Sequence, residues 1–226
     1  MEKSIFKHNP PGGTIETAGR VYADSPVGPG SFHKLKQADY GQGFRQATLR
    51  EVLDLAHQSY FNQGITGADK VVQASRKFYL SGNTAILYVP NMVIVQDMPQ
   101  VENGRIVMDE KSLTSKLSKN AKNGVRFSND ETIRALPYSF ETGWQDAKQI
   151  EANPFTIALT GDIEAGKKLA QIQGQIGKRG YIWALGKGTD NQIRVPDLSE
   201  YVSSLGLNGY DWFDLDVNGH SFGVRQ

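Results

Sequence analysis

The stretch that decides the fold is Tyr210-Asp-Trp-Phe-Asp-Leu-Asp-Val-Asn-Gly-His-Ser-Phe-Gly-Val-Arg225, at the end of the chain. Its Asn218-Gly219 pair is a strong signal for a β-hairpin, because a two-residue type I′ turn needs positive φ at both central positions. A turn there gives three facing pairs, namely Val217 with His220, Leu215 with Phe222 and Phe213 with Val224. Side chains alternate along a strand, so the pattern predicts that these residues form a core face.

The opposite face of the predicted hairpin carries aromatic and acidic side chains. They are Tyr210, Trp212, Asp214 and Asp216, with Ser221 and Arg225 across from them. Tyr and Trp supply large contact area at a low entropy cost, and Asp and Ser supply adaptable hydrogen bonds. We therefore predict that this face makes contact with a ligand and that the rest of the chain supports it.

Similar residues precede the hairpin. Tyr181 and Trp183 alternate on a predicted strand over 181–184, and Asp190 and Asn191 lie in a predicted loop over 186–191. For Trp183, core packing and surface contact are both open, because a strand with two aromatic residues can bury either face. The same surface is expected to include Tyr201, Ser203, Ser204 and Asn208. The predicted ligand-binding residues are Tyr181, Trp183, Asp190, Asn191, Tyr210, Trp212, Asp214 and Asp216.

Composition narrows the classes of function. The 226 residues carry 25 basic and 24 acidic side chains, for a net charge of +1, which argues against nucleic acid as the main partner. With no cysteine, disulfides, thiolate zinc sites and a cysteine nucleophile are excluded. Neither an apolar secretory region nor an apolar run long enough to span a bilayer is visible, so no membrane insertion is expected. Display at a cell surface would need another route, and the compartment and oligomeric state stay open.

Local signals predict the helices. Thr48 and Glu51 have the spacing of a capping box, which predicts a helix over 49–61. A second helix is predicted over 68–80 with Gly82 as its stop, a short helix is predicted after Asp109, and a fourth is predicted over 162–176 with Gly177 as its end.

The remaining pattern is rich in short strands. The predicted strands are 14–16, 20–22, 84–89, 92–96, 105–108, 125–127, 155–159, 181–184 and 192–195, with turns at Pro90-Asn91 and Asn103-Gly104. One helical turn is predicted over 130–136, a short helix or loop over 197–203, and an irregular N-terminal segment over 1–42. Helices and strands are interspersed without a regular βαβ period, which predicts an α+β fold. The absence of an obvious linker predicts a single domain over 1–226.

The chain offers two candidate enzyme motifs. Gly161 to Lys168 has the spacing of a phosphate-binding loop, but Lys168 stands where a hydroxyl should ligate Mg²⁺, and Asp162 and Glu164 place negative charge where phosphates would lie. Asp214 and Asp216 would lie about 7 Å apart on one strand face, a separation that suits an acid/base pair but also an ordinary solvated strand. The four histidines show no metal-ligand spacing. We therefore predict no catalytic residue, no cofactor and no metal site.

Two short stretches resemble parts of known domains. Gly43-Phe-Arg-Gln-Ala-Thr-Leu-Arg-Glu51 is similar to the Arg-Leu-Pro-Thr-x-x-Glu helix start of C-type-lectin-like domains of the formylglycine-generating-enzyme kind, with Gln46-Ala47 in place of Leu-Pro. Ser221-Phe-Gly-Val-Arg225 is similar to the Gly-Phe-x-Val-Arg ending of those domains. This combination resembles the variable proteins of diversity-generating retroelements.

The resemblance implies a C-type lectin-like fold with an N-terminal extension and inserted elements. It also implies a ligand-binding receptor, not an enzyme, with a variable region over about 180–225. The expected partner is a macromolecule, with protein the favoured class. Retroelement diversification acts on template adenines, often in Asn codons, and Tyr, Asp, Ser, Gly and Asn are residues that such codons yield.

The chemistry of two other branches of this fold does not carry over. The enzyme branch uses active-site cysteines, and the sugar-binding branch uses Glu-Pro-Asn or Gln-Pro-Asp with Trp-Asn-Asp; this chain has none of these.

Three hypotheses for the function follow. The first is a binding protein with a diversified C-terminal surface. The second is an enzyme, either nucleotide-dependent through Lys167 or hydrolytic through Asp214 and Asp216, and the third is a structural or assembly protein that uses the same face as a constant interface.

Overall fold

A computed structural model describes residues 13–17, 19–200, 204–209 and 219–225. Seven helices lie in this part of the chain: α1 (Phe32–Lys36), α2 (Leu49–Phe61), α3 (Ala68–Lys77), α4 (Glu110–Ser115), α5 (Ala147–Ala152), α6 (Pro154–Thr160) and α7 (Ala165–Ile176). The mixture of these helices with short, mostly antiparallel strands confirms the predicted α+β class.

The strands of the described residues are β1 (Thr14–Thr17), β2 (Arg20–Ala23), β3 (Val27–Gly30), β4 (Phe44–Gln46), β5 (Tyr79–Ser81), β6 (Thr84–Val89), β7 (Met92–Asp97), β8 (Gln100–Glu102), β9 (Arg105–Val107), β10 (Leu117–Lys122), β11 (Val125–Ser128), β12 (Ile133–Pro137), β13 (Gly143–Gln145), β14 (Arg179–Trp183), β15 (Gln192–Arg194), β16 (Asp197–Glu200), β17 (Ser204–Asn208), β18 (Gly219–Ser221) and β19 (Gly223–Arg225).

These strands form three larger sheets and one isolated hairpin. Sheet I has the order β13-β14-β17-β16-β5-β18-β3, sheet II the order β10-β11-β12-β7-β6-β15, and sheet III the order β1-β2-β19-β4. The hairpin β8–β9 pairs Glu102 with Arg105 across the predicted Asn103-Gly104 turn. The predicted Pro90-Asn91 turn is also confirmed, because Val89 pairs with Met92.

The two stretches that carry the sequence resemblance are neighbours in sheet III. In the register of β19 with β4, Gly223 pairs with Gln46 and Arg225 with Phe44. The Arg225 guanidinium lies over the Phe44 ring, 5.2 Å from its centroid. Residues 44–46 and 223–225 therefore form one structural unit, which joins the last strand to the start of α2.

Helix α2 begins as the sequence predicts. Glu51 N donates to Thr48 Oγ1 over 3.4 Å and Thr48 N donates to Glu51 Oε2 over 2.8 Å, which completes the capping box. Arg45 donates from both terminal nitrogens to the two Glu51 oxygens, at 2.8 and 2.7 Å. The apolar face of α2, with Leu49, Val52 and Leu53 fully buried, packs into the main core cluster.

A buried arginine ties the sheets to the helices. Arg134 on β12 is 1% exposed and forms a bidentate ion pair with Asp97 on β7. Its Nε also donates to Ala158 O at the end of α6, over 2.8 Å. Asp97 accepts from Thr84 Oγ1, which in turn accepts from the Leu49 backbone N–H. Sheet II, α6 and the start of α2 thus share one hydrogen-bonded network.

Four predictions of secondary structure are wrong. Residues 155–159 lie in a helix, because Asn153 caps α6 and Pro154 occupies its first turn. Residues 133–137 form a strand paired with β7, and 197–200 form a strand buried between β17 and β5. The second helix ends at Lys77, since the chain then enters β5.

One further boundary differs from the sequence prediction. Helix α7 begins at Ala165, not at Asp162, but ends at Gly177 in a left-handed conformation as predicted. In the described part of the N-terminal segment, 13–17 and 19–42, the two predicted strands are present as β1 and β2. The same segment also contains β3 and α1, which were not predicted, and pairing with sheets I and III organises it.

The predicted closing hairpin is wrong for the half that the structure describes. Both edges of β18 are occupied, because Gly219 pairs with Gly30 of β3 and with Tyr79 of β5. Val224 pairs with Tyr22 and Arg45. Phe222 and Val224 are buried, as the core-face prediction requires, but Ser221, which was predicted on the opposite contact face, is buried too because β18 lies inside sheet I. The other predicted partners, Phe213, Leu215 and Val217, lie outside the described residues.

No helix in the described ranges combines the length and the apolar character that crossing a bilayer requires.

Candidate functional site

The side chains of strand β14 alternate between buried and more exposed positions. Gly180 and Ile182 are buried, whereas Arg179 and Trp183 are exposed and Tyr181 is half-buried. Successive side chains point to opposite faces of a strand, so Arg179, Tyr181 and Trp183 share one face. Trp183 is 38% exposed, which resolves the open question between core packing and surface in favour of the surface.

A third aromatic residue joins this face from the neighbouring strand. Trp144 on β13 pairs with Tyr181 on β14 and is 46% exposed. The Tyr181 ring lies 5.0 Å from the Trp144 ring and 5.0 Å from the Trp183 ring, at interplanar angles of 85° and 88°. We call these three residues the aromatic face. Its rings are held edge to face, an arrangement that the ring quadrupoles favour.

A cation and a shallow cleft border the aromatic face. The Arg179 guanidinium lies 5.2 Å from the Trp144 ring centroid, within the range of a cation–π interaction. An open cleft of about 300 Å³ adjoins the rings. It is lined by Thr142, Gly143, Tyr181, Ile182, Trp183 and Ala184. This surface therefore offers large aromatic area, one positive charge and a concave margin.

The chain leaves sheet I beside Trp183 and enters the predicted contact segment. Strands β14 and β17 are parallel, and Trp183 lies opposite Asn208 at their carboxyl ends. Gly209 N donates to Trp183 O over 2.6 Å, and Gly209 O accepts from the Tyr88 hydroxyl over 2.8 Å. The segment 210–218 follows directly, and the chain rejoins sheet I at Gly219. The two described residues that flank this segment, Gly209 and Gly219, are thus both hydrogen-bonded to strands of sheet I.

The predicted site residues divide into three groups. Tyr181 and Trp183 come together in the aromatic face. Asp190 and Asn191 are exposed in the loop between β14 and β15. The other four, Tyr210, Trp212, Asp214 and Asp216, lie outside the described residues, as do Tyr201 and Ser203. Ser204 and Asn208, which we expected on the surface, are instead buried in β17 because this strand lies inside sheet I.

A buried carboxylate supports the strands behind this face. Glu200 ends β16 and is 9% exposed. It accepts hydrogen bonds from the Tyr60 hydroxyl and from Lys178 Nζ, the latter over 2.7 Å, and Arg76 Nε lies 3.5 Å away. Burial, followed by the bond to Glu200, raises the pKa of Tyr60 to about 12, so the phenol stays a donor. These contacts connect the end of β16 to α2, α3 and the residue before β14.

The candidate phosphate-binding loop has the wrong structure for that role. Gly161 ends helix α6, whereas such a loop follows a strand. Lys167 is exposed and lies 3.6 Å from Glu164. Lys168 forms ion pairs with Asp54 and Asp162; burial disfavours its charge, but these hydrogen bonds outweigh burial and raise its pKa. Both lysines have acidic partners and the loop follows a helix, which argues against the alternative hypothesis of a nucleotide site at Lys167.

Sequence reasoning missed Trp144 and Arg179. Trp144 lies in a strand of three residues, too short to show the alternation that identifies strands. Its partner Tyr181 is far along the chain, so only the β13–β14 pairing reveals their contact. The one signal in the sequence for a surface role of Trp144 is its position between Gly143 and Gln145, outside any apolar run.

Comparison with known proteins identifies the fold. No family model and no curated protein matches the chain. It is similar to a solved structure described as "Accommodation of massive sequence variation in Nanoarchaeota by the C-type lectin fold", with a TM-score of 0.55 and 15% sequence identity. The similarity covers 87% of this chain and 93% of that chain. The chain therefore has a C-type lectin fold, as its sequence resemblance implies.

Proposed function

We propose that this chain is a ligand-binding protein that presents a diversified C-terminal surface on a C-type lectin scaffold. The surface comprises the aromatic face, the exposed loop with Asp190 and Asn191, and the segment 210–218. Its target is a macromolecule, and we favour a protein. The observation that carries this proposal is the hydrogen bond between Gly209 and Trp183, because it joins the start of segment 210–218 to the aromatic face.

The geometry of the rings favours a protein target. Single strands of nucleic acid and other planar ligands bind on aromatic side chains by stacking on exposed ring faces. Here neighbouring rings are nearly perpendicular and so offer edges and faces in alternation. Trp, Tyr and Arg are the residues most enriched at the energetic centres of protein interfaces, and all three types meet on this surface.

The proposal that the surface is diversified has two supports. The structural neighbour is described by the accommodation of massive sequence variation in this fold. In this chain, the described residues that flank the segment with Tyr210, Trp212, Asp214 and Asp216 are held by the sheet: Gly209 N donates to Trp183 O, and Gly219 pairs with β3 and β5. A scaffold that holds both ends of a segment through backbone bonds tolerates side-chain changes between them, since backbone bonds do not depend on residue identity.

Two other hypotheses compete with this proposal, namely an enzyme and an assembly protein with a constant interface. Nucleotide-dependent catalysis through Lys167 is contradicted by the structure of that loop. Hydrolysis through Asp214 and Asp216 stays a hypothesis, because both residues lie outside the described residues. An assembly protein would use the same surface as a constant interface, and variation among sibling sequences separates that role from diversified binding.

Sequencing of the gene's surroundings and of sibling genes tests the proposal. We expect a near-copy of the last part of the gene beside a reverse transcriptase, with differences at adenines. We expect siblings to differ at Tyr181, Trp183, Asp190 and Asn191 and at the predicted positions within 210–218. Siblings that are identical at these positions and different elsewhere would contradict diversified binding and favour a constant interface.

A further inference from the structure

A second cleft, formed by residues outside the aromatic face, contains basic and amide groups. It has a volume of about 480 Å³. Its lining consists of His33, Lys36, Gln37, Val101, Asn103 and Gly104. We propose that this cleft binds a small organic anion through a phosphate or carboxylate group. The proposal is independent of ligand binding at the aromatic face.

Two elements form the walls of the cleft, and a shared core fixes their separation. Helix α1 contributes His33 and Lys36, and its C-cap residue contributes Gln37; a spacing of three and four residues places them on one side of the helix. The β8–β9 hairpin contributes Val101 and the Asn103-Gly104 turn. Phe32, next to His33, and Ile106 on β9 are buried in the same apolar cluster. The two walls are therefore packed against each other, and the cleft is preformed.

The polar groups of the lining suit a negative ligand. Lys36 provides a positive charge, while Gln37 and Asn103 provide amide donors; no carboxylate is among the lining residues. The neighbouring Glu102 is exposed, lies opposite Arg105 in the backbone register of the hairpin and is not part of the lining. An anion in the cleft would therefore meet donors without a close negative competitor within this lining.

A hydrogen bond to the hairpin positions Lys36 at the cleft. Its Nζ donates to Pro99 O, at the base of the hairpin. An ammonium group carries three donors, so two stay available for a ligand. Burial lowers the pKa of Lys36, which shows that its charge is poorly solvated where it lies. A partly desolvated ammonium gains more from an anionic partner than an exposed one, because the local dielectric is lower.

His33 also lines the cleft, and its Nε2 faces the hairpin turn, 4.0 Å from where a Cβ on Gly104 would lie. An imidazole nitrogen can donate a hydrogen bond to an anion. The volume also agrees with a small molecule, since ligand pockets commonly measure about 300–1,000 Å³.

Titration followed by amide NMR tests the proposal on the full chain. The probes are inorganic phosphate and succinate, each added at constant ionic strength. We expect saturable shifts of the Asn103 and Gly104 amides and of the α1 amides, with a Kd below about 1 mM for at least one probe. A response to phosphate, to succinate or to both supports the site and identifies the group that it prefers.

Three variants make the test specific. Lys36→Met should weaken binding about tenfold or more, because a hydrogen bond to a charged group is lost. Asn103→Gly keeps the positive φ of 50° accessible, removes only the amide, and should weaken binding without disturbing the turn. Lys111→Met, on exposed α4, changes the net charge equally and should leave binding unaltered.

Two results would overturn the proposal. One is the absence of a saturable shift with either probe in the unaltered chain. The other is an equal loss of affinity in Lys111→Met and Lys36→Met, because that would mean that general surface charge attracts the anion and that the cleft plays no part.

Discussion

At the scale of single residues, Glu51 connects the start of α2 to sheet III. It is 5% exposed, and it closes the capping box while accepting both terminal nitrogens of Arg45. Burial would raise its pKa, but the hydrogen bonds from Arg45 and the Thr48 backbone, with the charges of Arg45 and Arg20, outweigh burial and lower it. Glu51 therefore favours the folded state when it is ionised.

Replacement of Arg45 by Met should destabilise the protein in a pH-dependent way. Near pH 7 we expect a loss of about 3 kcal/mol in the free energy of unfolding, because a buried carboxylate loses its main partner. A carboxyl group whose folded-state pKa is lowered contributes stability above its unfolded pKa and loses it as the pH falls. The difference from the unaltered protein should therefore shrink below about pH 4.

Urea unfolding at several pH values measures this effect, with Arg105→Met on the exposed strand β9 as the matched control. The control should change the free energy of unfolding by less than about 0.5 kcal/mol at every pH. A loss in the Arg45 variant that stays constant down to pH 3 would mean that Arg45 acts through packing and not through Glu51.

At the scale of elements, the connection between β5 and β6 passes unusually close to the start of α2. A Cβ atom added at Gly82 would lie 2.1 Å from Leu49 N and 2.5 Å from Thr48 C. Asn83 N donates to Ala47 O over 2.7 Å, and Thr84 Oγ1 accepts from Leu49 N. The helix start and the strand connection are in backbone contact, so neither can move without the other.

Gly82→Ala should therefore lower the free energy of unfolding by about 3 kcal/mol or more, in the range of overpacking in a rigid core. Gly174→Ala is its matched control, because Gly174 is exposed in α7 and its added Cβ meets nothing within 4 Å. This control should gain about 0.5–1 kcal/mol from helix propensity. Thermal unfolding compares the two, and an unchanged midpoint for Gly82→Ala would contradict the close contact.

At the scale of the whole molecule, the buried scaffold and the proposed contact surface use different side chains of the same strands. In β14, Ile182 is 1% exposed and belongs to the main core, whereas Trp183 next to it is 38% exposed. In β16 and β17, Leu198 and Leu207 are buried in that core. Substitutions in the core should therefore change stability, whereas substitutions on the proposed contact surface should change ligand contact.

A library randomised at Tyr181, Trp183, Asp190 and Asn191 should remain folded. Substitutions at exposed positions change stability little, so we expect most members to lose less than about 1 kcal/mol. A control library at Ile182, Leu198 and Leu207 should lose about 2–5 kcal/mol per truncation to Ala. Display level and resistance to protease report folding, and equal losses in both libraries would contradict the separation of scaffold and surface.

Some of these features could be predicted from short stretches of sequence. The capping box at Thr48, the turns at Pro90-Asn91 and Asn103-Gly104, and the helix end at Gly177 were all predicted correctly. Each depends on hydrogen bonds or φ preferences within about five residues, so the local sequence contains the necessary information. The resemblance that implied the C-type lectin fold was carried by two such stretches.

Tertiary structure decided the features for which the local sequence permits two outcomes. The apolar run 155–159 suits a strand or a helix; it is a helix, and the carbonyls of Ala158 and Leu159 near its end accept from Arg134 on β12. The polar segment Asp197–Glu200 becomes a buried strand because β17 and β5 bond its backbone and because Tyr60 and Lys178 satisfy Glu200.

The C-terminal stretch shows both kinds of information. By itself the sequence determined that the large apolar residues Phe222 and Val224 are buried, but the predicted alternation with exposed neighbours is wrong, because Ser221 and Gly223 are buried as well. It also determined that Tyr181 and Trp183 share a face. Only the tertiary structure decided that Gly219 pairs with β3 and β5, and that Trp144 completes the aromatic face. Strand partners distant in the chain are selected by the packing of whole sheets, and no local pattern specifies that packing.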